Sequence, residues 1–267
     1  MDFLPLVLLL VAGAAAGFLA GFFGVGGGFV LVPILLFFYQ TTGVTSLVST
    51  HLAFGTSLLI IIFASSSSAF QYSRNGHVVW KAVLLIGAGS VVGGLGGAFL
   101  AGALEGRVLR QIFAVILLFV AVQLLTSTKK QKNEQTPAIF PPALLLAGLV
   151  VGVVSALAGV GGGVVSIPIM HLLLRFPFKK ALGTSSATIV ITALAAGTGY
   201  ALRGWGNTLL PPNTLGYIDY MHAIPLILGS VPLAMVGARV AQRTQAKRLA
   251  TVFAVLLIVL AIRMFFF

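Results

Sequence analysis

Ten apolar segments follow one another along this chain, eight of them about twenty residues or longer. They cover residues 3–23, 28–39, 44–70, 82–104 and 108–127, then 140–158, 163–174, 181–202, 221–242 and 248–267. A helix that crosses a bilayer needs about 20 apolar residues. Lipid leaves no polar partner for an open backbone, so helices that satisfy their own hydrogen bonds are the answer to such runs. The expected fold is an all-α polytopic membrane protein, and composition supports it. Only 7% of the residues are charged, against about 25% in soluble domains, so most of the surface must face the lipid bilayer. The net charge of +12 comes from basic residues scattered between apolar runs without aromatic interleaving. They read as topology signals and headgroup contacts, and a nucleic-acid partner is excluded. There is no cysteine, hence no disulfide or thiolate chemistry. The first run, residues 3–20, lacks a basic leader and reads as a first helix rather than a cleaved signal.

The chain repeats itself. Residues 24–35 read GVGGGFVLVPIL and residues 159–170 read GVGGGVVSIPIM, identical at eight of twelve positions. Gly55-Thr56-Ser57 returns as Gly183-Thr184-Ser185, residues 89–101 return as 229–241, and Phe113-Ala114-Val115 returns as Phe253-Ala254-Val255. Low complexity could imitate one glycine match but not four in the same order. The predicted organisation is a first repeat over 1–127, a linker over 128–138 around the polar stretch STKKQKNEQT, and a second repeat over 139–267. Each repeat has about five helical segments. Residues 203–220, rich in glycine and proline, are predicted to lie in a loop outside the membrane.

The short segments 28–39 and 163–174 could be short crossings, second arms of re-entrant hairpins, or continuations of one broken helix. Basic residues choose between these readings, because cytoplasmic loops collect Lys and Arg. If each short segment returns the chain toward its starting face, twelve basic residues fall on one side. They are Arg74, Lys81, Lys129, Lys130, Lys132, Arg175, Lys179, Lys180, Arg239, Arg243, Lys247 and Arg248. Arg107, Arg110, Arg203 and Arg263 fall on the other. The single-broken-helix reading removes the bias. The expected topology therefore has a cytoplasmic linker, both termini outside the cytoplasm, and repeats that are inverted across the membrane. Inverted repeats with breaks at matched positions are a structural signature of secondary transporters.

Gly24, Gly26, Gly27 and Gly28, with Gly159, Gly161, Gly162 and Gly163, interrupt apolar helices. Clustered glycines release backbone N–H groups, tolerated at membrane depth only where they meet protein or line a cavity. The helix after each break starts there, with its positive end facing the break. Two such ends brought together make a site for an anion without a buried cation. These eight glycines are the candidate substrate-binding backbone. Gly93, Gly94, Gly96 and Gly97 read as close helix packing, and Pro33 and Pro168 as elements of helix shape. The hydroxyls of Thr56, Ser57, Thr184 and Ser185 are added as candidate donors, and His51 as a donor or proton carrier. Asp2, Glu105, Glu134 and Asp219 fall in loops or termini, so no carboxylate relay is expected in the membrane core. There is no HExxH, GxSxG or phosphate-loop motif. The expectation is a non-enzyme without cofactor or metal.

The duplicated GVGGG runs with their downstream prolines, the Gly-Thr-Ser triplets and the short basic linker together resemble the TauE/SafE sulfite exporter family, also called the toluene-sulfonate uptake permeases. The resemblance covers about residues 5–265. It implies an inner-membrane carrier of small anions, most naturally sulfite, sulfoacetate or other sulfonates, exported by some members and imported by others. The ligand residues above come from helix ends and hydroxyls, not from the family. An anion channel of the same architecture and a membrane assembly subunit without transport are the alternatives. A homo-oligomer is left open.

Overall fold

The computed structural model describes residues 3–127, 140–245, 251–252, 254–259 and 261–262, and every regular element among them is helical. Nine helices are delimited: α1 (Phe3–Phe23), α2 (Gly28–Thr41), α3 (Ser46–Arg74), α4 (Trp80–Ala101), α5 (Gly106–Ser127), α6 (Pro141–Ala158), α7 (Gly163–Pro168), α8 (Phe178–Arg203) and α9 (Tyr220–Arg243). A π-helical turn, Ile169–Leu173, extends α7. Residues 251–252, 254–259 and 261–262 are also helical. Among the described residues, α1, α3, α4, α6, α8 and α9 are long and apolar enough to cross a membrane. The linker 128–138, half of segment 248–267 and the basic residues Lys129, Lys130, Lys132, Lys247, Arg248 and Arg263 lie outside the described residues.

Polarity runs inside out. The central helices α3 and α8 bury Thr56, Ser57, Ser65, Ser68, Thr184, Ser185, Thr188 and Thr192, while Leu8, Leu84, Val92, Leu146 and Leu228 on the outer helices are exposed. In water that distribution would be costly. In lipid it places apolar surface outward and leaves hydroxyls to bond within the bundle.

Glycines set the helix directions by letting backbones touch. Side chains at Gly13, Gly17 and Gly21 would run into Leu226, Ser230 and Ala234, so α1 and α9 run parallel. Gly89, Gly93 and Gly97 meet Leu145, Leu149 and Val153, so α4 and α6 run parallel. Such four-residue spacing is the membrane packing pattern. Gly94 packs on α8 at Ala195 and Ala196, and Gly96 meets nothing. The central pair crosses the other way: Gly55 approaches Tyr200, Leu58 approaches Gly197, and Tyr72 approaches Gly183. Helices α3 and α8, which carry the matched triplets, are therefore antiparallel.

The halves make matched contacts as well. Tyr72 Oη donates to Gly21 O at the end of α1 (3.0 Å), and Tyr200 Oη donates to Ala156 O at the end of α6 (2.8 Å). Ala114, Leu117 and Ala121 are buried on α5, and Ala254, Leu257 and Ala261 are buried in the last helical stretch.

One end of the bundle holds Arg74, Lys81, Arg175, Lys179, Lys180, Arg239 and Arg243, located by α3, α9 and α8 termini that touch through Gln71–Arg239 and Lys179–Gln242. The other end holds Arg107, Arg110 and Arg203, located by the contacts of Gly106 with Thr50 and of Gly102 with Arg203. Helix α2 folds back beside α1: Gly27 lies against Ala16 and Ala20, and Tyr39 at the far end of α2 reaches Thr56 in the first half of α3. A helical hairpin with a short second arm is thus what forms at the first glycine run, not one broken helix.

Candidate functional site

The glycine runs are sharp backbone turns of matched shape. Gly24, Gly26 and Gly27 have φ of 65°, 81° and 80°, and Gly159, Gly161 and Gly162 have φ of 64°, 72° and 81°. Only glycine adopts that left-handed region without steric cost, roughly 1–2 kcal/mol per residue for a side chain. The turns end at Gly27 and Gly162, which directly precede α2 and α7.

The turns meet. A Cβ on Gly28 would lie 2.5 Å from Val160 Cα, and one on Gly163 would lie 2.5 Å from Val25 Cα. Their shared lining is Ile61 of α3 and Ile189 of α8. A Cβ on Gly26 would stand 2.8 Å from Ile61 Cγ2 and 3.1 Å from Ile189 Cγ2, and a Cβ on Gly161 would stand 2.9 Å and 2.8 Å from the same atoms. Both isoleucines are buried and lie near the middle of their helices. Among the described residues the N–H groups of Gly26, Gly27 and Gly28 donate to no backbone carbonyl, nor do those of Gly161, Gly162 and Gly163. Six donors of this kind, buried together, are unusual because buried amides are nearly always bonded.

Hydroxyl placement differs from what the triplets suggest. Thr56 Oγ1 accepts from Asp219 N (2.9 Å) and from Tyr39 Oη (3.2 Å), fastening the start of α9. Thr184 Oγ1 accepts from Val79 N (3.1 Å), fastening the start of α4. Both threonines are thus matched struts at helix starts. Ser57 Oγ contacts Phe54 O and Gly159 O, holding the second glycine turn. Ser185 Oγ lies 2.7 Å from Ser166 Oγ in α7. The hydroxyls without a partner are elsewhere. Ser65 Oγ and Ser155 Oγ are buried and unbonded. Ser65 Oγ lies 3.0 Å from the Cβ position of Gly26, and Ser155 Cβ lies 3.4 Å from that of Gly162. The run of four serines at 65–68 in an apolar helix was the available signal for Ser65. Nothing in the repeat pattern marks either residue.

His51 stands apart from the glycine turns. Its Nε2 lies 3.1 Å from both Ala101 O and Leu104 O at the C-terminal end of α4. In the other half Lys179 Nζ donates to Gln242 O at the C-terminal end of α9 (2.5 Å). Donors at helix C-termini satisfy orphan carbonyls, as both residues do here, while His51 Nδ1 is buried without a partner.

Asp219 lies in a loop, as expected, yet that loop buries it. It precedes α9 but is 2% exposed. Its Oδ1 accepts from His222 N (3.1 Å), and its Oδ2 lies 2.6 Å from His222 Nδ1 and accepts from Tyr39 Oη (3.3 Å). The loop 204–219 folds against α3, with Gly55 on Tyr217, and this buries the carboxylate. His222 is therefore paired with Asp219.

Among the described residues no cluster of His, Cys, Asp and Glu could hold a metal ion.

These features define a multi-pass helical membrane protein whose two glycine-formed helix breaks meet inside the bundle. The chain belongs to the sulfite exporter TauE/SafE family, whose model matches residues 9–264. A Haemophilus influenzae relative, named "Probable membrane transporter protein", is 30% identical over 97% of this chain and 98% of its own length. A Methanocaldococcus jannaschii relative with the same description is 29% identical over 92% of this chain and 90% of its own length. A Bacillus subtilis relative, "Probable membrane transporter protein YunE", is 26% identical over 97% of both chains. These relatives are named as membrane transporters, not as enzymes. No solved structure matches the chain.

Proposed function

We propose that the chain is a secondary carrier of small anions, with sulfite, sulfoacetate and other sulfonates as its substrates, working by alternating access. The repeats are inverted across the membrane, and the end bearing Arg74, Lys179, Lys180, Arg239 and Arg243 is cytoplasmic. The observation that carries this reading is the contact of Gly28 with Val160 and of Gly163 with Val25. It brings six glycine N–H groups, without a backbone acceptor among the described residues, to one place near the middle of α3 and α8.

The physical logic is economical. A Lys or Arg at the bilayer centre costs about 2.5–3.5 kcal/mol on insertion scales. A helix N-terminus contributes about 0.3–2 kcal/mol of preference for an anion without that cost. Such binding is weak enough for release, as a carrier requires. The N–H groups of Gly26, Gly27 and Gly28, and of Gly161, Gly162 and Gly163, face the anion, and the free hydroxyls of Ser65 and Ser155 add donors. Thr56, Thr184 and Ser57 brace the frame, and His51 anchors α3 to α4.

Ile61 and Ile189 close the space between the turns, so an anion enters only when they part. Alternating access then consists of moving one hairpin, α1–α2 or α6–α7, relative to the α3–α8 pair. Flux of radiolabelled sulfite and sulfoacetate into proteoliposomes tests the proposal. Saturable uptake with counterflow from preloaded vesicles is the expected result. Conductance without counterflow contradicts the carrier, and no flux for a broad panel of oxyanions contradicts the whole reading.

A further inference from the structure

The bundle has a second feature suited to an anion, remote from the glycine turns. A polar cavity of about 440 Å³ lies between the C-terminal ends of α3 and α9, lined by Gln71, Asn75, Arg239, Gln242 and Arg243. A water occupies about 30 Å³, so the cavity holds a hydrated tetrahedral oxyanion with room to spare. Arg239 Nε donates to Gln71 Oε1 (3.0 Å), which fixes the guanidinium at the wall, and among the described residues its Nη2 reaches only the Met235 sulfur (3.2 Å). Arg243 has no hydrogen-bond partner or ion pair among the described residues. Asn75 Nδ2 donates to Gln242 Oε1, which orients the amide, and Gln242 Nε2 is buried without a partner.

Basic side chains in the last turn of a helix commonly serve the helix dipole. Here the contacts run otherwise. The carbonyl of Gln242 is taken by Lys179 Nζ from the start of α8, and Arg239 bonds a side chain of α3 rather than a carbonyl of α9. Among the described residues the carboxylates are Glu105 and Asp219, both at the opposite end of the bundle. Two guanidinium groups, an ammonium nearby and an idle amide N–H thus surround one cavity with no described carboxylate beside it. A guanidinium presents planar paired donors that match phosphate and sulfonate oxygens.

We propose that this cavity is a second anion site, which takes one phosphate- or sulfonate-type oxyanion on Arg239, Arg243 and the Gln242 amide. The ligand is either a free oxyanion or the headgroup of an anionic lipid, which share that chemistry. The site stands independently of the transport reading, and its test reads binding, not flux.

Inorganic phosphate is titrated calorimetrically into the full chain, purified and delipidated in detergent. The expected result is saturable binding that R239Q/R243Q weakens at least tenfold and R239K/R243K weakens by less than about threefold. Native mass spectrometry of the same proteins extracted with their lipid separates the sources. An anionic phospholipid retained by the wild type and absent from R239Q/R243Q assigns the site to a headgroup. Phosphate binding lost with retained lipid unchanged assigns it to the free anion. Phosphate affinity and retained lipid both equal in wild type and R239Q/R243Q overturn the site. If the double variant does not purify folded, Arg243→Gln alone carries the test, since that side chain bonds nothing described: a loss of about threefold supports the site, and no loss overturns it.

Discussion

Ile61 and Ile189 close on the same glycine: a Cβ placed on Gly26 would stand 2.8 Å from one and 3.1 Å from the other. They come from antiparallel helices and pack on both glycine turns; in the proposed carrier they are the apolar seal over the polar backbone. Shortening both in I61A/I189A is predicted to open that seal. Each truncation costs about 2–5 kcal/mol, so the single variants are measured first. The expected outcome is a substrate-independent anion leak in proteoliposomes, with counterflow reduced. A tight membrane with wild-type counterflow contradicts the gating role.

Gly26→Leu and Gly161→Leu are each predicted to abolish flux while membrane insertion is retained. A side chain there combines the left-handed φ, about 1–2 kcal/mol, with collision against Ile61 and Ile189, about 1–3 kcal/mol of overpacking. Gel-filtration profiles in detergent check folding. Folded variants with wild-type flux count against the turns as the binding site.

Ser65→Ala separates binding from bracing. The hydroxyl bonds nothing in the protein, so its loss leaves thermal stability unchanged. A hydrogen bond to a charged group contributes about 1.5–3 kcal/mol, so KM for sulfite rises roughly tenfold or more. Thr56→Val behaves oppositely. It leaves Asp219 N without its acceptor, at about 1–3 kcal/mol, so the melting temperature falls while KM of the folded fraction holds.

Asp219→Ala removes an acceptor of three donors. Loss of the N-cap alone costs about 0.5–2 kcal/mol, while the Tyr39 hydroxyl keeps Thr56 Oγ1 as its acceptor. Asp219→Asn keeps the cap and is predicted to melt between wild type and Asp219→Ala. Equal melting temperatures for all three contradict the assignment of Asp219 as a buried cap.

His77, in the turn between α3 and α4, has its pKa lowered by burial first, then by the charges of Lys179 and Lys180. The unfolded chain therefore binds the proton more readily than the folded one, and this residue's contribution to stability falls as pH drops through the ordinary histidine value of about 6.5. His77→Gln is predicted to flatten the loss of melting temperature between pH 7.5 and 5.5. An unchanged slope contradicts it.

Helix positions were legible in the sequence because lipid demands long apolar runs, and segment 3–23 matches α1 (Phe3–Phe23) residue for residue. The glycine turns were legible because GVGGG is both helix-breaking and duplicated. Hydroxyl roles were not. Duplication marks Thr56 and Thr184, yet what duplication preserves is a strut from α3 to the start of α9 and from α8 to the start of α4, a long-range contact between halves that no local pattern encodes. The unbonded hydroxyls, Ser65 and Ser155, sit where the other repeat has alanine, Ala193 and Ala20. Burial of Asp219 depends on how the loop 204–219 folds back onto Gly55, and the composition of that loop reads only as irregular.

The most direct test is an experimental structure of the protein soaked in selenite, an anomalous scatterer that mimics sulfite. The account predicts an anomalous peak within hydrogen-bonding distance of the Gly26–28 or Gly161–163 amides, with Ile61 and Ile189 displaced from between the turns. A selenite peak found only elsewhere, with the two isoleucines still packed on Gly26 and Gly161, contradicts it.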